Sequence, residues 1–125
     1  MSDRGVIQSL DARTAAARLV ADDPAPLLID VRETIEFAGG RAENAILMPL
    51  SGLAARIEEL PKDRPLFIVC QVGQRSAMVV DYLLRSGWTD VSNIDGGMDA
   101  WQRAGLPVMR GAPTAEELAR TPAEA

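Results

Sequence analysis

The 125-residue sequence contains no histidine and a single cysteine, Cys70. Without histidine there is no Ser–His or Cys–His nucleophile pair, no imidazole general base and no histidine-ligated metal. One cysteine excludes internal disulfides, Cys-x-x-Cys redox pairs and thiolate zinc clusters. Any chemistry must therefore use carboxylates, hydroxyls, arginines, backbone amides or the Cys70 sulfur.

The chain also lacks a positive balance of charge and a long apolar run. Its formal net charge of −5 argues against a broad basic surface for nucleic acid. No apolar run approaches the ~20 residues of a membrane-spanning helix, and the polar residues 1–5 lack the apolar core of a signal peptide. We therefore expect a soluble cytoplasmic protein with neither nucleic-acid nor membrane partners.

Short apolar runs alternate with segments of helical periodicity along the chain, which is typical of βα units around a mostly parallel sheet. Strands are predicted at residues 5–8, 27–31, 45–48, 65–70 and 91–94. Helices are predicted after Asp11, over residues 34–37, after Ser51, and over residues 75–85 and 97–103. These elements make one domain over residues 1–110. Residues 111–125 form a polar tail rich in Ala, Pro and Glu, for which we expect a short frayed helix or disorder, with a partner-binding tail as the alternative.

Cys70 ends the most continuous apolar strand, and a helix is predicted to begin about five residues later. Ligands of open α/β sheets bind beyond the carboxyl ends of strands. Gly73 allows the connecting backbone to curl so that its amides point inward, and the helix N-terminus adds partial positive charge. Arg75 adds a full charge with planar donors. The pattern predicts a nucleophilic thiolate facing an anion pocket, although a buried structural thiol is the common alternative for a free cysteine.

Transfer of a sulfane sulfur suits a thiolate that has no proton-transfer partner. The thiolate attacks the outer sulfur of a donor, and a leaving group such as sulfite departs without being protonated. Amide or ester cleavage usually needs an acid and a base. Phosphate-ester chemistry is the competing use of a thiolate in an anion pocket, and it needs a larger pocket and an acid for the leaving alkoxide.

Three separated motifs carry a family resemblance. The first is Leu-Ile-Asp-Val-Arg-Glu at residues 28–33, followed by Glu36, Phe37 and Gly40. The second is the loop Cys-x-x-Gly-x-Arg-Ser at residues 70–76, and the third is Gly-Gly-x-x-Ala-Trp at residues 96–101 with Gly-Leu-Pro-Val at residues 105–108. In this order and spacing, the sequence resembles the single-domain rhodaneses of the thiosulfate sulfurtransferase type.

The resemblance implies a three-layer α/β fold, with a central, mostly parallel, five-stranded sheet and helices on both faces. It also implies a catalytic persulfide on Cys70, formed from a small anionic donor such as thiosulfate or a persulfide and passed to an external thiol or protein. No metal or cofactor is implied. The substrate cradle would be formed by Gln71, Val72, Gly73, Gln74, Arg75 and Ser76. Arg75 would contact the donor, Asp30 would support the loop, and Arg32 and Glu36 would form a structural ion pair.

Two departures from the family pattern bear on substrate. Many thiosulfate-using relatives have a basic residue directly after the cysteine, whereas this chain has the neutral Gln71. Arg41 stands in the segment that usually reads Gly-His-Ile-Pro-Gly-Ala. It is either a surface residue or a substitute charge near the pocket. Asn44 is expected to keep the left-handed turn there.

Two other functions stay open. One is a non-enzymatic module that senses persulfide or oxidant through Cys70. The presence of the neutral Gln71 in place of a cation favours this alternative. The other is a phosphatase or arsenate reductase. Related enzymes of that kind place the arginine one residue further along a larger loop than Arg75 does here, which disfavours the second alternative.

Overall fold

The computed structural model describes residues 7–125 and contains a five-stranded parallel sheet in the order β1-β5-β4-β2-β3. The strands are β1 (Ser9–Leu10), β2 (Leu27–Asp30), β3 (Ile46–Leu47), β4 (Leu66–Val69) and β5 (Val91–Ile94). Because β4 lies in the middle of the sheet, the residue that follows it emerges at the centre of the sheet's carboxyl edge. That residue is Cys70.

Helices cover both faces of the sheet, as the resemblance implied. They are α1 (Ala12–Ala21), α2 (Thr34–Gly39), α3 (Leu53–Arg56), α4 (Gln74–Arg85), α5 (Gly97–Arg103) and α6 (Ala115–Ala119). Single 3-10 turns occur at Leu50–Gly52, Ile57–Glu59 and Pro122–Glu124. The apolar side chains of α3 and α4 pack in one core cluster, and those of α1, α2 and α5 pack in another.

The two core clusters follow from the alternation of side chains along the strands. In β4, Leu66 and Ile68 face the α3–α4 layer together with Cys70. Phe67 and Val69 face the opposite layer. A strand covered on both faces has no solvent side, which explains why residues 65–70 form an uninterrupted apolar run.

Most of the predicted elements are confirmed, with differences at their ends. Asp11 caps α1 by accepting a hydrogen bond from the Thr14 amide at 2.7 Å. In the predicted range 5–8, residues 7 and 8 are not in a strand, and residues 5 and 6 lie outside the described residues; β1 begins at Ser9. Ser51 is not a helix cap, because Gly52 precedes α3 and the Ser51 hydroxyl instead contacts Glu33 at 3.2 Å.

The C-terminal segment packs against the sheet domain through a buried ion pair. Thr114 and Glu117 form the reciprocal capping box that starts α6. The Glu117 carboxylate also accepts two hydrogen bonds from the Arg41 guanidinium, one of them at 2.9 Å. Arg41 is therefore neither a surface residue nor a pocket charge, since it is 3 % exposed and binds the segment that follows the predicted domain. Asn44 has the expected left-handed backbone, with a φ of 66°.

Among residues 7–125, no helix combines the length and the apolar character needed to cross a membrane.

Candidate active site

A left-handed glycine turns the chain from β4 into α4. Gly73 has a φ of 103° and immediately precedes the first residue of α4. A Cβ atom at this position would lie 3.2 Å from the Gly96 amide nitrogen. Glycine is therefore required both by the backbone conformation and by the close approach of the segment that leads into α5. The turn curls residues 70–76 around the cysteine sulfur, and we call these residues the sulfur nest.

Two backbone amides of the sulfur nest donate to Cys70, and the Ser76 hydroxyl also contacts its sulfur. Its Sγ lies 3.1 Å from the Gly73 amide nitrogen, 3.3 Å from the Ser76 amide nitrogen and 3.2 Å from the Ser76 hydroxyl oxygen. Burial raises the pKa of the thiol. The hydrogen bonds from the Ser76 side chain and from the amides of Ser76, Gly73 and Val72 outweigh burial and hold the pKa of Cys70 below its usual value. Cys70 is thus a buried residue that is biased toward thiolate.

The N-terminus of α5 fixes the outer side of the nest. The Met98 amide donates to the Cys70 carbonyl at 2.9 Å, and the Asp99 amide donates to the Gln71 carbonyl at 3.0 Å. With these carbonyls engaged by α5, the loop amides are left to point inward at the sulfur. Gly97 permits this contact, because a Cβ there would lie 2.4 Å from the Cys70 carbonyl oxygen. The Gly-Gly motif at residues 96–97 therefore belongs to the site.

Arg32 ties the end of β2 to the nest from the other side. Its guanidinium pairs with Asp30 at 2.8 Å and donates to the Gln71 side-chain oxygen at 2.9 Å. It also donates to the Glu36 and Gly40 carbonyls, so each of its nitrogens has a partner although the residue is 1 % exposed. The prediction of an ion pair between Arg32 and Glu36 is wrong. Arg32 pairs with Asp30 and meets only the backbone of Glu36.

The Gln71 side chain is occupied at both polar ends. Its oxygen accepts from Arg32, and its amide nitrogen donates to the Asp99 carboxylate at 2.6 Å. The side chain therefore connects β2 to α5. Asp99 was not among the sequence-predicted residues, because only the folded chain brings it next to a loop 28 residues earlier.

Arg75 forms a two-pronged ion pair with Glu36. Both terminal nitrogens of Arg75 lie 2.7 Å from the two Glu36 carboxylate oxygens, and about a third of each side chain is exposed (34 % and 30 %). This hydrogen bonding, against the effect of burial, lowers the pKa of Glu36 to about 2 and raises that of Arg75. The cation predicted to contact a donor is thus already paired with a carboxylate.

Asn93 is a site residue that the sequence analysis missed. It lies in β5, where its side-chain oxygen accepts from the Ser76 hydroxyl at 2.5 Å and its amide nitrogen donates to the Gly73 carbonyl at 3.3 Å. The one available signal was a polar amide inside a strand whose residues are all buried. Val72 and Gln74 are exposed on the outside of the loop, and of these two the amide of Val72 contributes to the lowered pKa of Cys70.

A separate cavity of about 590 Å³ lies at the amino end of β2, against the C-terminal segment. Its lining contains no residue of the sulfur nest and includes Leu27, Arg64, Trp101 and Arg120. The chemistry predicted from Cys70 does not use this cavity.

A parallel sheet of this order, with a buried, hydrogen-bonded cysteine at the centre of its carboxyl edge, defines the class of this α/β domain. The chain belongs to the rhodanese-like domain family, whose model matches residues 5–104. The family resemblance is thereby confirmed.

Curated relatives agree with this assignment. The chain is 36 % identical over 104 residues to a sulfurtransferase of Allochromatium vinosum, an alignment covering 83 % of this chain and 96 % of the relative. It is 30 % identical to the thiosulfate sulfurtransferase GlpE of Vibrio cholerae, covering 74 % and 88 %. These names support a rhodanese-family enzyme.

Solved structures agree on the fold. A rhodanese-related protein of Thermoplasma volcanium superposes with a TM-score of 0.73 at 29 % identity, covering 82 % of this chain and 97 % of that one. A rhodanese-like domain protein of Staphylococcus aureus superposes with a TM-score of 0.70 at 35 % identity, covering 76 % and 91 %. The predicted α/β architecture is confirmed.

Proposed function

We propose that this protein is a sulfurtransferase that carries a sulfane sulfur on Cys70 as a persulfide. The observation that carries the proposal is the sulfur nest, in which two backbone amides and one hydroxyl lie within 3.3 Å of Sγ. Amide donors favour the anionic form of a sulfur without acting as an acid or a base. A thiolate prepared in this way suits a reaction in which no proton has to be moved.

Two displacements at sulfur complete the proposed cycle. In the first, the Cys70 thiolate attacks the outer sulfur of thiosulfate. A bond forms between Sγ and that sulfur, the donor's S–S bond breaks, and its electron pair leaves on sulfite. In the second, an external thiolate or cyanide attacks the outer sulfur of the Cys70 persulfide. The electron pair of the persulfide bond returns to Sγ, which regenerates the thiolate.

The surrounding residues have positioning roles in this proposal. The amides of Val72, Gly73 and Ser76 stabilise negative charge on the thiolate and then on the persulfide. Asp30 orients Arg32, and Arg32 holds the loop through Gln71. We also propose that the protein works in the reducing environment of the cytoplasm, where a free thiol persists. Because the chain contains no second cysteine, the sulfur has to leave to an acceptor outside the chain.

Intact mass spectrometry tests the proposal directly. The protein is incubated with thiosulfate or with glutathione persulfide, and the excess donor is removed. Its intact mass is then measured before and after the addition of cyanide. We expect the gain of one sulfur atom, its loss to cyanide as thiocyanate, and neither event in Cys70→Ala. The matched control is Ser86→Ala, which removes one exposed side-chain atom at the far end of α4 and leaves the nest intact.

The other outcomes identify the alternatives. Loading without turnover by any thiol acceptor would support a persulfide-sensing module. Hydrolysis of an aryl phosphate or reduction of arsenate, without sulfur gain, would support the phosphatase or reductase reading. Normal sulfur transfer by Cys70→Ala would refute the mechanism altogether.

A further inference from the structure

The Glu36–Arg75 pair joins α2 to the sulfur nest and is partly exposed to solvent. Arg75 immediately precedes Ser76, whose amide and hydroxyl contact Sγ. Both terminal nitrogens of Arg75 are committed to Glu36 at 2.7 Å. The two terminal N–H donors of Arg75, which could otherwise bind two oxygens of a sulfonate group, are therefore already bound to a carboxylate of similar geometry.

The two polar side chains that contact each other at the start of the nest, Arg32 and Gln71, do not replace this cation. Arg32 also contacts the nest, but it is 1 % exposed and its nitrogens are bound to Asp30, Gln71 and two backbone carbonyls. Gln71 is neutral and is held between Arg32 and Asp99. A donor with two negative charges thus gains little from Arg75 unless it displaces Glu36, and it also meets the Glu36 carboxylate.

We propose that Glu36 is a specificity-determining residue: by pairing with Arg75, it neutralises the approach to Cys70 and favours sulfur donors with at most one negative charge over dianionic thiosulfate. This inference rests on the proposed sulfurtransferase function. The pairing is not released by ordinary changes of pH, because the pKa of Glu36 is lowered to about 2 and Arg75 remains a cation.

Two donors of nearly the same shape isolate the effect of charge. Thiosulfate is a dianion, and methanethiosulfonate replaces one of its charged oxygens by a methyl group and is a monoanion. In each case the Cys70 thiolate bonds to the outer sulfur while the S–S bond of the donor breaks. The electron pair leaves on sulfite from thiosulfate and on methanesulfinate from methanethiosulfonate. The measured quantity is the ratio of kcat/KM for thiosulfate to kcat/KM for methanethiosulfonate, with cyanide as acceptor.

Glu36→Gln keeps the size of the side chain and an oxygen that can accept the 3.1 Å hydrogen bond from the Glu33 amide. We expect it to raise the donor ratio by about tenfold at low salt, because it frees one charge-assisted contact and removes one repulsive charge. Arg75→Gln leaves Glu36 unpaired and should lower the ratio by about tenfold. The double variant removes both the carboxylate and the guanidinium, so the net charge beside the nest is again zero. It should return the donor ratio to within about twofold of wild type.

Asp22→Asn is the matched control. Asp22 pairs with Arg18 at the end of α1, and β2 begins only after it, so this charge lies at the sheet edge opposite Cys70. Its donor ratio should equal that of wild type. A role of the Glu36–Arg75 pair in folding alone would lower activity with both donors together and leave the ratio unchanged in every variant.

The outcomes separate this inference from the proposed function. If neither donor adds sulfur to Cys70, the proposed function fails and this inference fails with it. If both donors load wild type but the ratio does not rise in Glu36→Gln or does not fall in Arg75→Gln, the inference alone is overturned. If one single variant does not fold, the other single variant and the double variant still decide the question by the direction of their ratios.

Discussion

Removal of the Ser76 hydroxyl tests how the thiolate of Cys70 is stabilised. Two of the three contacts to Sγ come from backbone amides, so the hydroxyl at 3.2 Å is the contact that a side-chain substitution deletes. A hydrogen bond to a charged group contributes about 1.5–3 kcal/mol, which corresponds to about 1–2 pKa units. The hydroxyl is shared, because Asn93 accepts from it at 2.5 Å. Because the hydroxyl has a single proton, we expect Ser76→Ala to raise the pKa of Cys70 by less than the loss of a full charge-assisted hydrogen bond would.

The single cysteine makes the assay simple. The ultraviolet absorbance of the thiolate and the rate of alkylation by iodoacetamide both report on Cys70 alone, and each is recorded as a function of pH. In wild type, the midpoint should lie below that of an unfolded or small-molecule thiol, since the pKa is lowered. In Ser76→Ala it should move upward, so the loss of thiolate is largest between the two midpoints. Ser86→Ala, whose hydroxyl donates to the Tyr82 carbonyl, is the control and should not move it. An unchanged midpoint in Ser76→Ala would show that the amides alone hold the thiolate.

Two further predictions concern the frame around the site. Glu117→Gln should destabilise the protein by about 3 kcal/mol at neutral pH in denaturant unfolding, because it leaves the buried Arg41 without a counter-charge. The pKa of Glu117 is lowered to about 2 in the folded protein. Its contribution to the free energy of unfolding is therefore full above the pKa of an unfolded glutamate and is lost as the pH falls toward about 2. A difference in unfolding free energy between variant and wild type that stays constant from about pH 5 downward would contradict this. Gly97→Ala should lower the melting temperature and slow sulfur loading, because its Cβ would meet the Cys70 carbonyl at 2.4 Å from a residue with a φ of 59°. The control Gly52→Ala, with nothing within 4 Å of the new Cβ, should load at the wild-type rate.

The cysteine loop and the layered fold could be predicted from the sequence because both depend on local patterns. Apolar runs mark the buried strands, and a glycine between Cys70 and a helix predicts the turn that the structure contains. Three short motifs in order sufficed to indicate the family.

The partners of the charged residues could not be predicted in the same way. Two arginines, Arg32 and Arg75, lie near two carboxylates, and the sequence does not show which pairs they form. The folded chain pairs Arg32 with Asp30 and Arg75 with Glu36. Arg41 finds its carboxylate 76 residues later, in a segment whose composition indicated little structure.

Asn93 was missed for a related reason. A single amide in a short buried strand has no period or motif, and its role follows from the neighbouring strand that precedes Cys70. Polar residues that act through contacts between distant segments leave little trace in the sequence near them.

The contact between the nest and α5 has a consequence for the newly made chain. Cys70 emerges from the ribosome well before Asn93, Gly97 and Asp99, which complete its surroundings. Until those residues are in place, the Cys70 and Gln71 carbonyls are not engaged by α5, and the loop backbone is free to turn its amides away from the sulfur. We therefore expect the lowered pKa of Cys70 to be a property of the completed domain rather than of the loop sequence alone.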